Sequence, residues 1–545
     1  MSKHQRPKIP ERSSRSPGSD SAAERTSLFP FFSSALQRPT IGLVLAGVYA
    51  VTMLVIALVY HNVGDYNVET DFFWSYVPEA KSVLQGTFVI DGFRGPVYPL
   101  FLACAGAVIG DFFRAGIILS VLAAAGTLWF AYQILRTLFR PDIAFIGTLL
   151  IAVNRTFIQY SYTASTDMVF NALVIGSLYF LLRHSQRQWR DIVFSALAGA
   201  CAYLTRYNGV FLLIAVPFIF LVVNPYEINR QERFKTMGVF LALFFGMISP
   251  WAVYCFVKTG SFFYNLNYLN IAYEMYAKGK IGWDQYWNVE SQKFHSLPQV
   301  IFSDPIRFAE TIITNMYSHM VSDMELLLLW PFGIVATAGV YVSWKEKATK
   351  RQLALLVFGA TFFGILLLVF YGERFSMFLL LPYTALAVRA CTWRNLSSWR
   401  FWNRVQIGAL ISWILLIWTC TESYEFNRIN INSGPQEIPL IADWFIKNHG
   451  RGTEEEVVVS RKPHIAYSLG MKWIPFPYVQ SEEELRQQVQ TSKASYLFFS
   501  SMEAYMRPQF REFLDPQKAP PWLVPLTYTV NPPAVLYKVH LGAAP

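Results

Sequence analysis

Apolar residues fall along this chain in runs of membrane-spanning length, and charged residues gather in the short segments between them. A hydrocarbon core of about 30 Å takes roughly 20 residues of helix, so each run predicts a crossing. The runs lie near 40–60, 113–136, 141–160, 167–183, 191–205, 209–223, 236–257, 324–344, 352–371, 374–390 and 405–422. About eleven transmembrane helices are expected.

Loop charge sets their direction. Basic junctions at 136–140, 183–190, 230–235, 345–351 and 389–404 all belong on the cytoplasmic side if Val97–Gly110, which is short for a crossing, is a re-entrant or interfacial helix. Residues 1–38, rich in Ser, Pro, Arg and Lys, then form a disordered basic cytoplasmic tail. The outer face receives a first loop at 61–112, a long loop at 258–323 and everything from 423 to 545, with a transmembrane domain over 39–422. In the last region the helical pattern of IPLIADWFIKNHG and EEELRQQVQ alternates with strand-like VVVS, SYLFFS and AVLYKVH, which predicts a small extracytoplasmic α/β domain. The fold class expected is a polytopic α-helical membrane protein with that domain appended.

Composition agrees, since 53% of the 545 residues are hydrophobic and only 15% charged. The net charge of +10 would suggest a nucleic-acid partner in a soluble chain, but the bases sit in loops between apolar runs, as the positive-inside bias demands. Nucleic-acid binding is excluded on that ground. Five cysteines stand singly in apolar runs, with no CxxC, and are expected to be small buried residues.

Candidate chemistry concentrates in the first outer loop. Asp65, Glu69, Asp71 and Asp91 share it with many aromatics, and Arg94 precedes a Gly-Pro turn. A carboxylate and a guanidinium in one compact loop offer a base for an acceptor hydroxyl and a clamp for a phosphate leaving group. Asp71 heads a helical run with Tyr76, Ala80 and Leu84 on one face, closed by Gly86; an acid there can also simply favour the helix start. In the long outer loop, YNLNYLNIAYEMYAKGKIGWDQYW is assigned to the interfacial aromatic belt in preference to sugar stacking, and His295 has no evident partner. The run Arg461–His464 is expected to be a solvated turn after a strand, and no catalytic role is assigned to the C-terminal domain.

Four stretches in order resemble the GT-C glycosyltransferases, specifically the family that includes protein O-mannosyltransferases and the aminoarabinose transferase of lipid A. They are the first loop, with Arg94-Gly95-Pro96-Val97 in place of a His/Lys-Pro-Pro-Leu element; SYTASTDMVFNAL around Asp167; AYLTRYNGVFLL with Arg206 in the place of Lys; and GERFSMFLLLP around Arg374. Aligned on Ala80 and Gly86, the family pattern puts its first acid at Phe72, one position after Asp71, so Asp71, Asp65 and Glu69 all stand as candidates for the base.

The resemblance implies a GT-C fold, a sugar donor on polyprenyl phosphate or diphosphate, and inverting transfer to a lipid, glycan or protein acceptor outside the cytoplasmic membrane. It assigns donor phosphate binding to Arg94, Arg206 and Arg374, and orientation of substrate or a cation to Asp167, Tyr76 and Tyr98. Val97–Gly110 and nearby aromatics would line the isoprenoid groove. Each has a plainer reading: Asp167 as a helix cap, Arg206 and Arg374 as interfacial anchors, with Glu373 neutralising Arg374. Acids near phosphate can hold Mg²⁺ or Mn²⁺, but no dedicated ligand set is evident and no metal is assigned. The competing classes are a transporter or lipid flippase, which would place ionisable groups near the midplane, and a scaffold whose outer domain binds a partner.

Overall fold

The structure, a computed structural model, describes residues 38, 40–183, 189–401 and 405–540. The tail expected over 1–38 falls, apart from Arg38, outside the described residues, as do most of the junction 183–190 and part of 389–404.

A helix occupies part of each apolar run, but few are long enough to cross alone. Among the described residues, Ile41–Tyr60, Phe112–Leu138, Arg230–Thr259 and the stretch Ile407–His449 have the length and composition of membrane spans. The pair Pro141–Ala152 and Arg155–Tyr162 would make a fifth. By length and composition alone, four or five helices among the described residues are thus long and apolar enough to cross, fewer than the eleven apolar runs. The other runs are broken or short: Asp167–Arg183, Trp189–Thr205 and Lys350–Leu366 have 17 residues each and Leu380–Cys391 has 12. At about 1.5 Å per residue, 17 residues give some 26 Å. The breaks have local causes. The Asn154 side chain accepts the Thr156 and Phe157 N–H groups, capping a new helix that departs at 62° from the one before.

Ile41–Tyr60 shows how the bundle packs. Gly42, Ala46, Tyr49, Met53 and Ala57 recur every three or four residues and are its buried stripe, while Leu43, Val44, Val48, Val51 and Val55 face outward. Small residues on the stripe let the helix approach Phe112–Leu138, and Gly42 lies against the Tyr132 ring. The cysteines divide: Cys255 and Cys391 are buried, Cys201 is half-buried, and Cys104 and Cys420 are exposed on outward helix faces, so burial does not describe all five.

The last helix of the bundle runs from Ile407 to Asn432, past the boundary expected at 422. Beyond it a five-stranded sheet has the order Lys472–Pro475, Val457–Ser460, Tyr496–Ser500, Pro533–Val539, Leu523–Val530. The first three strands are parallel and the last two antiparallel to their neighbours. Val457–Ser460 is buried at all four positions, as a central strand covered on both faces must be.

This domain is docked by polar contacts between remote segments. Tyr66 Oη donates to Glu437 at 2.8 Å, and His464 Nε2–H donates to the Asp65 carbonyl at 2.8 Å. Phe73 packs on the rings of His464 and Tyr467. Asp284, in the loop 258–323, lies 2.7 Å from Arg461 and 2.9 Å from Arg507. The sheet is therefore fixed over the loop 61–112.

Candidate active site

A cavity of about 730 Å³ opens where the loop 61–112, the helix bundle, the loop 258–323 and the C-terminal domain meet. Asp71, Tyr76, Arg94, Asp167, Arg206 and Arg374 all line it. Six of the nine residues singled out in the sequence are thus brought to one space.

Asp71 ends the first turn of helix after Asn67, and Phe72–Tyr76 continues as a wider π-helical turn. Phe72, Phe73 and Tyr76 are buried, which turns the acid toward the cavity. Among the described residues its carboxylate makes no hydrogen bond or ion pair. It is available to a substrate.

The arginines differ in how they are held. Arg94 pairs with Asp91, and its guanidinium sits 4.2 Å over the Tyr76 ring. Behind it Glu79 is pushed up to about 7 by burial and then by Asp91, and accepts a hydrogen bond from Ser75. Gly95 makes this placement sterically possible, because a Cβ there would run into the Leu204 carbonyl. Arg206 pairs with Asp167, approaches Thr166 Oγ1 at 3.3 Å and lies 5.3 Å from the Phe375 ring centre. It points into the protein, not out to headgroups. Arg374 stacks on Phe375 at 4.7 Å and pairs with no acid among the described residues, since Glu373 is taken by Arg155 at 2.9 Å. The neutralisation expected from Glu373 does not occur.

The other three candidates lie elsewhere. Asp65 accepts the N–H groups of Asn67 and Val68, both at 2.7 Å, so it fastens the turn that starts the helix. Glu69 is wholly buried and accepts from His61, from the Asp65 N–H at 2.8 Å and from the Ala164 N–H at 2.6 Å. Burial lifts its carboxyl, opposed chiefly by His61. Neither acid lines the cavity. Tyr98 is fully buried behind Tyr76, ring centres 5.0 Å apart, and is also absent from the lining.

Further lining residues were assigned otherwise in the sequence. Trp283, Trp287, Asn267, Asn270 and Asn288 of the loop 258–323 face the cavity rather than a belt. No residue of 97–110 lines it; Phe93, Phe370 and Phe375 supply apolar wall instead. The C-terminal domain contributes Arg461, Lys462, Trp473 and Pro475. The 461–464 run is no solvated turn, for His464 is 2% exposed and burial brings it down to about 3. The signal for these residues was their position after VVVS, since parallel sheets receive ligands at the carboxyl ends of their strands. His295 lies outside the lining, its backbone N–H donating to Gln299. Among the described residues no three His, Cys, Asp or Glu side chains converge as a metal site.

Residues 94–254 match the family model of dolichyl-phosphate-mannose-protein mannosyltransferases. Comparison with curated protein sequences finds no significant match. The structure is similar to that of ArnT from Cupriavidus metallidurans, solved bound to undecaprenyl phosphate, with a TM-score of 0.56 and 11% identity, covering 93% of this chain and 99% of that one. It is similar also to the archaeal oligosaccharyltransferase AglB from Archaeoglobus fulgidus, solved with an inhibitory peptide and a dolichol-phosphate, with a TM-score of 0.56 and 14% identity over 94% of this chain and 75% of that one. The chain is accordingly a multi-pass membrane protein with the GT-C fold of membrane glycosyltransferases.

Proposed function

We propose that the protein transfers a sugar from a polyprenyl-phosphate donor to an acceptor hydroxyl at the membrane face that carries the C-terminal domain, outside the cytoplasm. The observation that carries this reading is the shared cavity, in which a carboxylate, Asp71, and a guanidinium, Arg374, each without an ion-pair partner among the described residues, face the same space. That the two fold relatives were solved with undecaprenyl phosphate and a dolichol-phosphate supports a lipid-linked donor.

In this reading Asp71 accepts the proton of the acceptor hydroxyl as its oxygen attacks the anomeric carbon. The bond from that carbon to the phosphate oxygen breaks, and the sugar is inverted. Arg374 and Arg206 take up the negative charge growing on the departing phosphate, where a guanidinium forms two parallel hydrogen bonds. Asp167 holds Arg206 in place, and Asp91 and Tyr76 do the same for Arg94. Asp65 and Glu69, occupied with backbone and His61, are structural.

The test is incubation of purified protein with radiolabelled polyprenyl-phosphate sugars and a membrane extract as acceptor source. Labelled product is expected from the wild type, and Asp71→Asn should lower its rate by about 10²- to 10⁴-fold while polyprenyl phosphate still binds. Full transfer by Asp71→Asn would remove Asp71 as the base.

A further inference from the structure

Lys462 reaches the cavity from the C-terminal domain, and its surroundings hold it there without neutralising it. Ser460 Oγ donates to the Lys462 carbonyl at 2.7 Å, and the neighbouring Arg461 N–H donates to the buried Glu503 at 2.6 Å. Lys462 Nζ donates to Thr70 Oγ1 at 3.1 Å, while that hydroxyl is itself the donor to the Tyr66 carbonyl at 2.8 Å. One ammonium hydrogen is thus used and two remain. Among the described residues no carboxylate lies within ion-pair distance. A half-buried ammonium lacking a counterion costs free energy that an incoming anion would return.

Beside it stands an aromatic pair. Trp473 is fixed by its indole N–H, which donates to the Ser460 carbonyl at 3.1 Å, and its ring meets Trp74 edge-on at 6.4 Å. Trp74 is half exposed and lies one turn beyond Asp71. Lys462 follows the carboxyl end of Val457–Ser460, and Pro475 ends the parallel neighbour Lys472–Pro475. That is the edge where α/β sheets bind ligands. Thr70, which Lys462 touches, precedes Asp71 in the chain. The place therefore adjoins the carboxylate, in the cavity that the bundle's arginines also line.

We infer that Lys462, Trp473 and Trp74 form the acceptor subsite, and that its ligand is an anionic hexose: the indoles take a face of the ring and the ammonium takes its carboxylate or phosphate. The inference rests on the glycosyl-transfer reading for the role of Asp71. It adds that the C-terminal domain selects the acceptor, by charge.

The test uses the full chain in detergent, with binding of glucuronic acid, glucose 6-phosphate, glucose and inorganic phosphate followed by saturation-transfer NMR, and undecaprenyl phosphate titrated in parallel. At least one anionic hexose should bind tenfold or more tighter than glucose or inorganic phosphate, and which one does so separates carboxylate from phosphate. Lys462→Gln and Trp473→Ala should each weaken that binding at least tenfold and leave undecaprenyl phosphate binding unchanged; Lys462→Arg should retain it. Equal binding of glucose, equal binding of inorganic phosphate, or a loss that follows Arg374→Ala and spares Lys462→Gln would overturn the inference. Should Lys462→Gln lower the melting temperature, Trp473→Ala decides alone. Failure of undecaprenyl phosphate to bind the wild type would instead strike the donor reading, leaving the hexose result to stand on its own.

Discussion

The two walls of the cavity are built on different principles. On the bundle side, two of the three arginines stand in breaks between helices and are held by acids: Arg94 by Asp91 three residues away, Arg206 by Asp167 across a helix pair. On the C-terminal side, Arg461 and Arg507 converge on Asp284 from a separate part of the chain, and Lys462 has no acid partner among the described residues. The first wall is preorganised by its own sequence neighbourhood. The second depends on docking.

The largest effect should break this comparison on the bundle side. Among the described residues Arg374 is the guanidinium there with no carboxylate in ion-pair contact, while Asp167 and Asp71 act on it from farther off. Arg374→Ala is expected to reduce transfer from a polyprenyl-phosphate sugar by about 10²- to 10³-fold, a typical loss for one group that stabilises developing charge. Arg94→Ala should cost less, because Asp91 already offsets part of its charge. Rates of labelled transfer for the two variants rank them; equal losses would mean that pairing with an acid does not set a cation's worth in this site.

Next in size is the docking contact. Asp284→Ala leaves Arg461 and the 4%-exposed Arg507 without their carboxylate, and breaking a buried pair this way costs about 3–5 kcal/mol. A drop in melting temperature together with a raised KM for acceptor is expected, with donor binding little changed. If donor binding fell as far as acceptor binding, the walls would be one functional unit.

How much of this was legible depends on the range of the contacts. The loop holding Asp71 and Arg94 could be found because its acids, aromatics and Gly-Pro turn lie within a few turns of chain, and Arg206 because it interrupts an apolar run in AYLTRYNGVFLL. Asp65 and Glu69 could not be told from Asp71 by spacing, since what separates them is a backbone turn and a buried His61. Lys462 and Trp473 were missed because they meet Thr70 and Trp74 only through placement of the sheet, about four hundred residues away in sequence, and no hydrophobic period encodes that. The same holds for the bundle. Apolar runs marked where helices form, yet Asn154 and the short helices decide how few meet the length of a crossing.

A smaller effect sharpens the comparison through pH. Burial and then Arg461 bring Lys462 down to about 8, with Asp71, Asp65 and Asp284 pulling it back up. A lysine carries its charge below its pKa and loses it above, so binding of an anionic hexose should weaken several-fold as pH rises from 7 to 9. Lys462→Arg stays charged over that range and should give a flat profile. A Lys462→Arg profile as steep as the wild type would mean that another group titrates.

The smallest expected effect on chemistry separates the acids of the first loop. Asp65→Ala removes an acceptor from three N–H groups, those of Asn67, Val68 and Glu69, at the start of the helix that carries Asp71, a loss of about 1 kcal/mol for a capping side chain. Asp65 itself does not line the cavity, so kcat should stay within about twofold of the wild type while unfolding shifts to slightly lower denaturant. The reverse pattern, normal stability with a rate loss approaching that of Asp71→Asn, would make Asp65 the base and would require its backbone hydrogen bonds to open when substrate binds. Since the Asp65 carbonyl also receives the His464 N–H, such an opening would loosen the C-terminal domain at the same time, and faster proteolysis between residues 461 and 475 on substrate addition would expose it.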